Sequence, residues 1–257
     1  MMHAPVSWYD KRLLRRLSFG LFRRYAKTFK DRYSVERRMG VFLLLDQLNK
    51  VDMHLLCGGV WEPDRIHFLR DLIVQQRRSD EKVVFLDIGA HGALYLLVLD
   101  PYVRFDRMIA YEPEPSSLAQ IRANLMMNDL VERVEVIPKA VSDEEGSSRF
   151  TIVEQGNRGE SRIVEGASEN RGHLINVSVT TVDATFSDIG VLLVAKIDVE
   201  GHENKVVRGM LNALRNNRVI LQIEKNTDDL ADLERSLRAI GVERVHSISQ
   251  DHYFVKT

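Results

Sequence analysis

Two stretches of this sequence hold side chains able to do chemistry. The first is Asp87-Ile88-Gly89-Ala90-His91-Gly92-Ala93, with Glu112-Pro113 following 25 residues after Asp87. The second is Lys196-Ile197-Asp198-Val199-Glu200-Gly201-His202-Glu203. Glycine at position 89 lets the backbone turn tightly and approach a ligand. An acid placed like Glu112 can accept hydrogen bonds from both hydroxyls of a ribose. The glycines lack the G-x-G-x-x-G spacing that makes room for a pyrophosphate, and Asp87 just ahead of the turn repels phosphate while suiting an ammonium. S-adenosylmethionine, with an ammonium, a sulfonium and a ribose, fits this set better than a nicotinamide dinucleotide does. The plainer alternative is that Gly89 serves only the turn.

In the second stretch, strand alternation puts Lys196 and Asp198 on one face and Ile197 on the other. Asp198 and Glu200 can then face a cleft, with Gly201 permitting a sharp turn into the next helix. His202 has the intrinsic pKa of a general base near neutrality. The competing account has Asp198 capping the helix, Glu200 and Glu203 complementing its N-terminus, and His202 packing or facing solvent. Glu224 ends a later apolar run, and its role is open.

Both stretches need strands ahead of them, and the sequence supplies them. Val83–Ile88, Arg107–Glu112 and Val134–Ile137 read as buried strands, separated by a helix over Leu94–Leu99 closed by Pro101 and a helix from Ser116 and Ser117 to Met127. Arg149–Val153 and Asn176–Val179 are further strands across a polar interval. The rhythm resumes with a strand at Val191–Ile197, a helix at His202–Arg215, a strand at Val219–Ile223 and a helix at Leu230–Ile240. Glu243–Ile248 and His252–Val255 form a closing hairpin. Strand–helix alternation of this kind predicts an α/β fold: a Rossmann-like, seven-stranded, mostly parallel sheet whose last strand is antiparallel.

Residues 1–53 differ in character. Trp8, Leu13, Leu14, Leu17, Leu21, Phe22, Tyr25 and Phe29 recur at helical steps among Arg12, Arg15, Arg16, Arg23, Arg24 and Lys27. The spacing predicts a basic amphipathic helical extension, followed by a single domain over 54–257. Residues 1–50 carry a charge of +8 within a chain of net −1, so the remainder is strongly acidic. Such an arm either packs its apolar stripe on the domain or meets an anionic membrane surface peripherally; nucleic acid is not expected as a partner. The single cysteine, Cys57, forms no internal disulfide, and no apolar run reaches membrane-spanning length, which suits a cytoplasmic protein, with the inner membrane face as a peripheral site. The oligomeric state is not legible.

Taken together, these residues resemble the FkbM family of S-adenosylmethionine-dependent methyltransferases over about Gly58 to Glu224. The similar segments are Gly59-Val60-Trp61-Glu62-Pro63, Leu86–Ala90, Tyr111-Glu112-Pro113, Asn124 with Asn128, Lys139–Asp143 with Gly146, and Val179–Asp183. The most specific is the octet Lys196–Glu203, against the family's K-I-D-V-E-G-A-E. His91 stands where the family has asparagine, Ala93 where it has its last glycine, with Gly92 one step early, and His202 replaces alanine. The resemblance implies a class I methyltransferase sheet and methyl transfer to a hydroxyl, often of a sugar in a polysaccharide, glycolipid or natural product. It further implies a cofactor held by Asp87, Gly89, Ala90, His91, Glu112, Pro113 and Ala140. Asp198 then serves the acceptor side, orienting the hydroxyl or holding a divalent metal such as magnesium with Glu200, and Glu200 and His202 come next as catalytic candidates. A catalytically weak binding or membrane-associated relative is the alternative.

Overall fold

The structure, a computed structural model, describes residues 32–153, 161–164, 173–225 and 230–257. The amphipathic stripe expected over Trp8–Phe29 lies outside the described residues.

Within the expected helical extension, residues 33–46 are instead a β-hairpin: β1 (Tyr33–Arg38) pairs antiparallel with β2 (Val41–Asp46). The connection is Met39-Gly40, both with positive φ (51° and 88°), the backbone that twists a two-residue hairpin correctly. Period-2 burial along β2 brings Val41, Leu43 and Leu45 into the core, which a helical phase would have scattered around a cylinder. Helix α1 (Lys50–Leu56) spans the boundary expected after Met53, and its Leu55 and Leu56 join the same core.

The main sheet is the expected one. After α2 (Pro63–Gln76) come β3 (Val83–Ile88), α3 (Leu94–Val103), β4 (Arg107–Tyr111), α4 (Pro115–Met127) and β5 (Val134–Ile137). A smaller unit follows, made of β6 (Ala140–Val141), β7 (Gly146–Ile152), β8 (Arg162–Ile163) and β9 (His173–Thr180). The alternation then resumes with α5 (Val182–Thr185), β10 (Leu192–Ile197), α6 (Glu203–Arg208), α7 (Leu211–Asn216), β11 (Arg218–Glu224), α8 (Leu230–Arg238), β12 (Glu243–Ile248) and β13 (Asp251–Lys256). Seven strands line up as β12-β13-β11-β10-β3-β4-β5, with β13 antiparallel to both neighbours. The extra strands do not extend this sheet; they form a separate four-stranded one, β6-β9-β7-β8.

Alternate residues of each central strand feed two cores. Phe85, Met108 and Val194 face the side covered by the hairpin and α1–α4, while Leu86, Ile109 and Leu193 face α5–α8. Both faces are therefore apolar, as a parallel sheet requires.

Three local expectations need correction. Pro101 lies inside α3, which continues to Val103; its exposed ring forfeits one backbone bond, and Val103 remains buried. Glu114, not Ser116 or Ser117, caps α4: its carboxylate accepts both serine N–H groups and both hydroxyls. The helix expected over His202–Arg215 breaks at Gly209, where a Cβ would lie 1.9 Å from the Ser142 carbonyl oxygen.

Asn124 and Asn128, one turn apart on α4, tie the hairpin to the domain. Asn128 donates to the Phe42 carbonyl and accepts its N–H. Asn124 accepts the Leu44 N–H at 2.7 Å and donates to the Gly92 carbonyl at 2.9 Å. Asn124→Ala leaves a buried N–H and C=O unmatched, at about 1–3 kcal/mol for such groups. Urea unfolding should show this loss as a lower midpoint with an unchanged slope; a midpoint equal to that of the unsubstituted protein would mean water replaces the amide freely.

Candidate functional site

One cleft opens at the carboxyl ends of β3, β4, β10 and β11, where ligands bind in open α/β sheets. Asp87, Gly89, Ala90, His91, Glu112, Pro113 and Ala140 all line it. So do Asp198, Glu200 and His202. The sequence thus named residues that the fold brings together; their roles are a separate matter.

The exit of β3 is held by its neighbours. Gly89 and Ala90 both donate their N–H to the Tyr111 carbonyl, and the Asp198 N–H bonds the Ile88 carbonyl. Gly89 has φ 79°, and a Cβ there would stand 1.9 Å from the Asp198 carbonyl oxygen. The close approach that demands glycine is therefore to the backbone leaving β10, not to a ligand. Gly92 lines the cleft, whereas Ala93 is buried in the core beneath it.

Glu112 is tightly placed. Its Oε2 accepts the His91 N–H and its Oε1 the Glu114 N–H, each at 2.9 Å. The N–H groups of Gly89, Ala90 and His91 are thus taken up by Tyr111 and Glu112. Each Glu112 oxygen keeps a second lone pair, so the carboxylate can still receive two hydroxyls. Burial pushes its pKa up to about 7 against the pull of those two N–H bonds.

Asp87 is almost wholly buried, and its Oδ2 has no hydrogen-bond partner. Burial raises its pKa to about 7; Lys196 works in the opposite direction and Asp198 in the same one. Such an oxygen lacks a donor, which is what an ammonium supplies.

Strand register explains the surroundings. Asp87 of β3 sits opposite Lys196 of β10, Lys196 opposite Gln222 of β11, and Gln222 opposite Tyr253 of β13. A polar row therefore crosses the sheet just below the cleft. Lys196 donates to Asp198 at 2.9 Å and stands 4.8 Å above the Tyr95 ring. Burial opposes its charge, but Asp198, Asp87 and Glu62 together hold its pKa above the ordinary lysine value. Tyr95 donates to Glu62 at 2.7 Å and accepts from Gln222 at 3.0 Å. Gln222 also donates to Asp251 at 2.6 Å, and Arg65 pairs with both Asp251 and Glu62.

The second stretch combines parts of both sequence accounts. Lys196 and Asp198 do share a face, but as an ion pair, so Asp198 caps nothing. Glu203, the first residue of α6, accepts the Gly201 N–H and pairs with Lys225. Glu200 (φ 53°) and Gly201 (φ 97°) make the turn, and the His202 Nε2 meets the Ser142 hydroxyl at 2.8 Å. No group of three or more His, Cys, Asp or Glu is arranged to hold a metal ion among the described residues, and Lys196 supplies the charge that a cation beside Asp198 would.

The profile of the methyltransferase FkbM domain matches residues 87–243, more than half of the chain. The chain belongs to the FkbM methyltransferase family. No curated protein sequence matches it. Among solved structures, an FkbM methyltransferase from Methylobacillus flagellatus KT superposes with a TM-score of 0.50 at 15% identity, over 96% of this chain and 60% of the other. This FkbM chain thus spans three-fifths of the length of that structure. The N-terminal domain of human METTL16 in complex with SAH gives a TM-score of 0.44 at 15% identity, over 97% and 83%. A human methyltransferase 10 domain containing protein gives 0.46 at 13%, over 97% and 98%. These likenesses concern the fold. No helix among the described residues of this FkbM domain is long and apolar enough to cross a membrane.

Sequence reasoning missed the support beneath the FkbM site: Glu62, Arg65, Tyr95, Gln222 and Asp251. It also missed Phe150, Ser161 and Ile163, which the small sheet contributes to the cleft wall. One signal was present, a glutamine at 222 in the otherwise apolar run Val219–Ile223.

Proposed function

We propose that the protein transfers a methyl group from S-adenosylmethionine to a hydroxyl, of a sugar in a polysaccharide, glycolipid or natural product. The observation carrying this reading is the pair of adjacent strand-end acids in one cleft. Asp87 has a buried oxygen without a donor, and Glu112 is oriented by two backbone N–H groups. Asp87 would take the ammonium of the cofactor and Glu112 its ribose hydroxyls, with Pro113 and Ala140 flanking the base. The bound cofactor supplies a methyl group on a positively charged sulfur. Gly89, Ala90 and His91 shape the loop between the two acids. Asp198, held by Lys196 through one oxygen, orients the acceptor through a hydroxyl beside the reacting one, and Glu200 and His202 line the same cleft. Fixing the acceptor in line with the reacting carbon supplies much of the rate, since positioning alone is worth up to about 7–11 kcal/mol.

Calorimetry with S-adenosylhomocysteine tests the cofactor half, and micromolar affinity is the expected result. Asp87 must lose its proton to serve an ammonium, so affinity should strengthen from pH 6 to pH 8 as that carboxyl ionises near 7. No binding at either pH would leave the catalytically idle binding protein as the better account. For the acceptor half, labelled methyl groups traced into a cell extract should appear on a hydroxyl; labelled nitrogen or carbon would refute it.

A further inference from the structure

We propose that the Glu224 carboxylate takes the proton from the acceptor hydroxyl, an inference that rests on the methyl-transfer reading. Glu224 ends β11 beside the β10 exit and lines both the main cleft and an adjoining acidic recess with Asp198, Glu200 and Glu203. Its acidic neighbours are already engaged. Glu62 holds Tyr95 and Arg65, Asp198 holds Lys196, and Glu203 holds Lys225. Among the described residues, no hydrogen bond or ion pair reaches the Glu224 carboxylate, so it is open to a hydroxyl donor.

The groups facing it come from three elements: Asp198 and Lys196 from the β10 exit, Asp251 from β13, and Glu62 and Arg65 from the start of α2. Burial, then Asp198 and Asp251, push its pKa up to about 8, with Lys196 opposing. A base titrating there suits proton abstraction near neutrality. Lys196 is held charged and cannot accept a proton, and Asp198 is already paired with it. The balance closes: the acceptor oxygen bonds the methyl carbon as the carbon–sulfur bond of the sulfonium donor breaks. The bonding pair stays on sulfur, and the hydroxyl proton passes to Glu224.

The test uses Glu224→Gln, with Glu224→Asp as the conservative variant, and three readouts. S-adenosylhomocysteine should bind both variants within about twofold of the unsubstituted protein, because the strand of Glu224 lies two places from that of Asp87 and three from the one that ends before Glu112. Methyl transfer from labelled S-adenosylmethionine into cell-extract acceptors should fall about 10²–10⁴-fold in Glu224→Gln and recover partly in Glu224→Asp. Fold stability needs no acceptor. A carboxyl raised from 4.5 to about 8 destabilises the native state increasingly as pH rises across that window, and Glu224→Gln should lose this slope. Equal transfer by Glu224→Gln, or stability curves running parallel from pH 5 to pH 9, would overturn the proposal. Absence of S-adenosylhomocysteine binding in the unsubstituted protein would instead defeat the methyl-transfer reading.

Discussion

Asp87→Asn should weaken S-adenosylmethionine binding and, at the same time, stabilise the fold. Removing one partner of a buried charge pair costs about 2–5 kcal/mol, so the dissociation constant should rise at least about 30-fold. The stability effect has the opposite sign. Asp87 titrates near 7 in the native protein and near 3.8 when unfolded, so between these values the native state binds more protons. Native stability therefore falls as pH climbs through that window, and the fall is complete above it. Asparagine resembles the protonated carboxyl at every pH and escapes this cost. At pH 4 the two proteins should melt together, while at pH 8 the variant should be more stable by about 1 kcal/mol or more, roughly 2–4 °C for a domain of this size. Calorimetric melting at both pH values, beside ligand titration, provides the check. A variant that is less stable at pH 8 would show that Asp87 is an ionised partner of Lys196 and not a strained acid awaiting a cation.

Gly89→Ala should be the most damaging small substitution in the cleft. The added methyl would meet the Asp198 carbonyl oxygen at 1.9 Å, and φ of 79° disfavours any L side chain. Neither side can yield cheaply, because the Asp198 N–H is bonded to the Ile88 carbonyl and the strands are paired up to that point. Overpacking costs about 1–3 kcal/mol and the left-handed backbone about 1–2 more. At roughly 2–4 °C per kcal/mol, melting should drop by about 4 °C at the least. Gly92→Ala is the control: its nearest neighbours across the chain are amide groups of Asn124 and Gln120 at 3.6 Å or more, and the backbone there is ordinary. It should change stability by less than about 1 kcal/mol. Equal melting of the two variants would contradict this account of the loop.

Much of the sheet was legible because its signals are local. Short apolar runs ending in Asp87, Glu112, Asp198 and Glu224 announce both the strands and the ends at which chemistry collects. The errors arose where the decision lay elsewhere. Residues 33–46 carry apolar side chains at spacings that suit either period, and what selects the hairpin is the Met39-Gly40 turn together with two asparagines some 80 residues away. Lys196 and Asp198 were expected to share a face, but that they pair as ions, and that Lys196 faces Asp87 on the strand opposite, lies outside the local sequence. Register between strands distant in sequence is invisible in a linear reading, so the row from Asp87 to Tyr253 could not have been drawn. Gln222 marked one of its points.

The Asn124 amide has a mechanical consequence. Its oxygen is fixed by Leu44 and its nitrogen by Gly92, and a planar group cannot swivel for one without leaving the other. The N-terminal hairpin and the turn after β3 therefore share one side chain, and what steadies or disturbs the one is passed through it to the other.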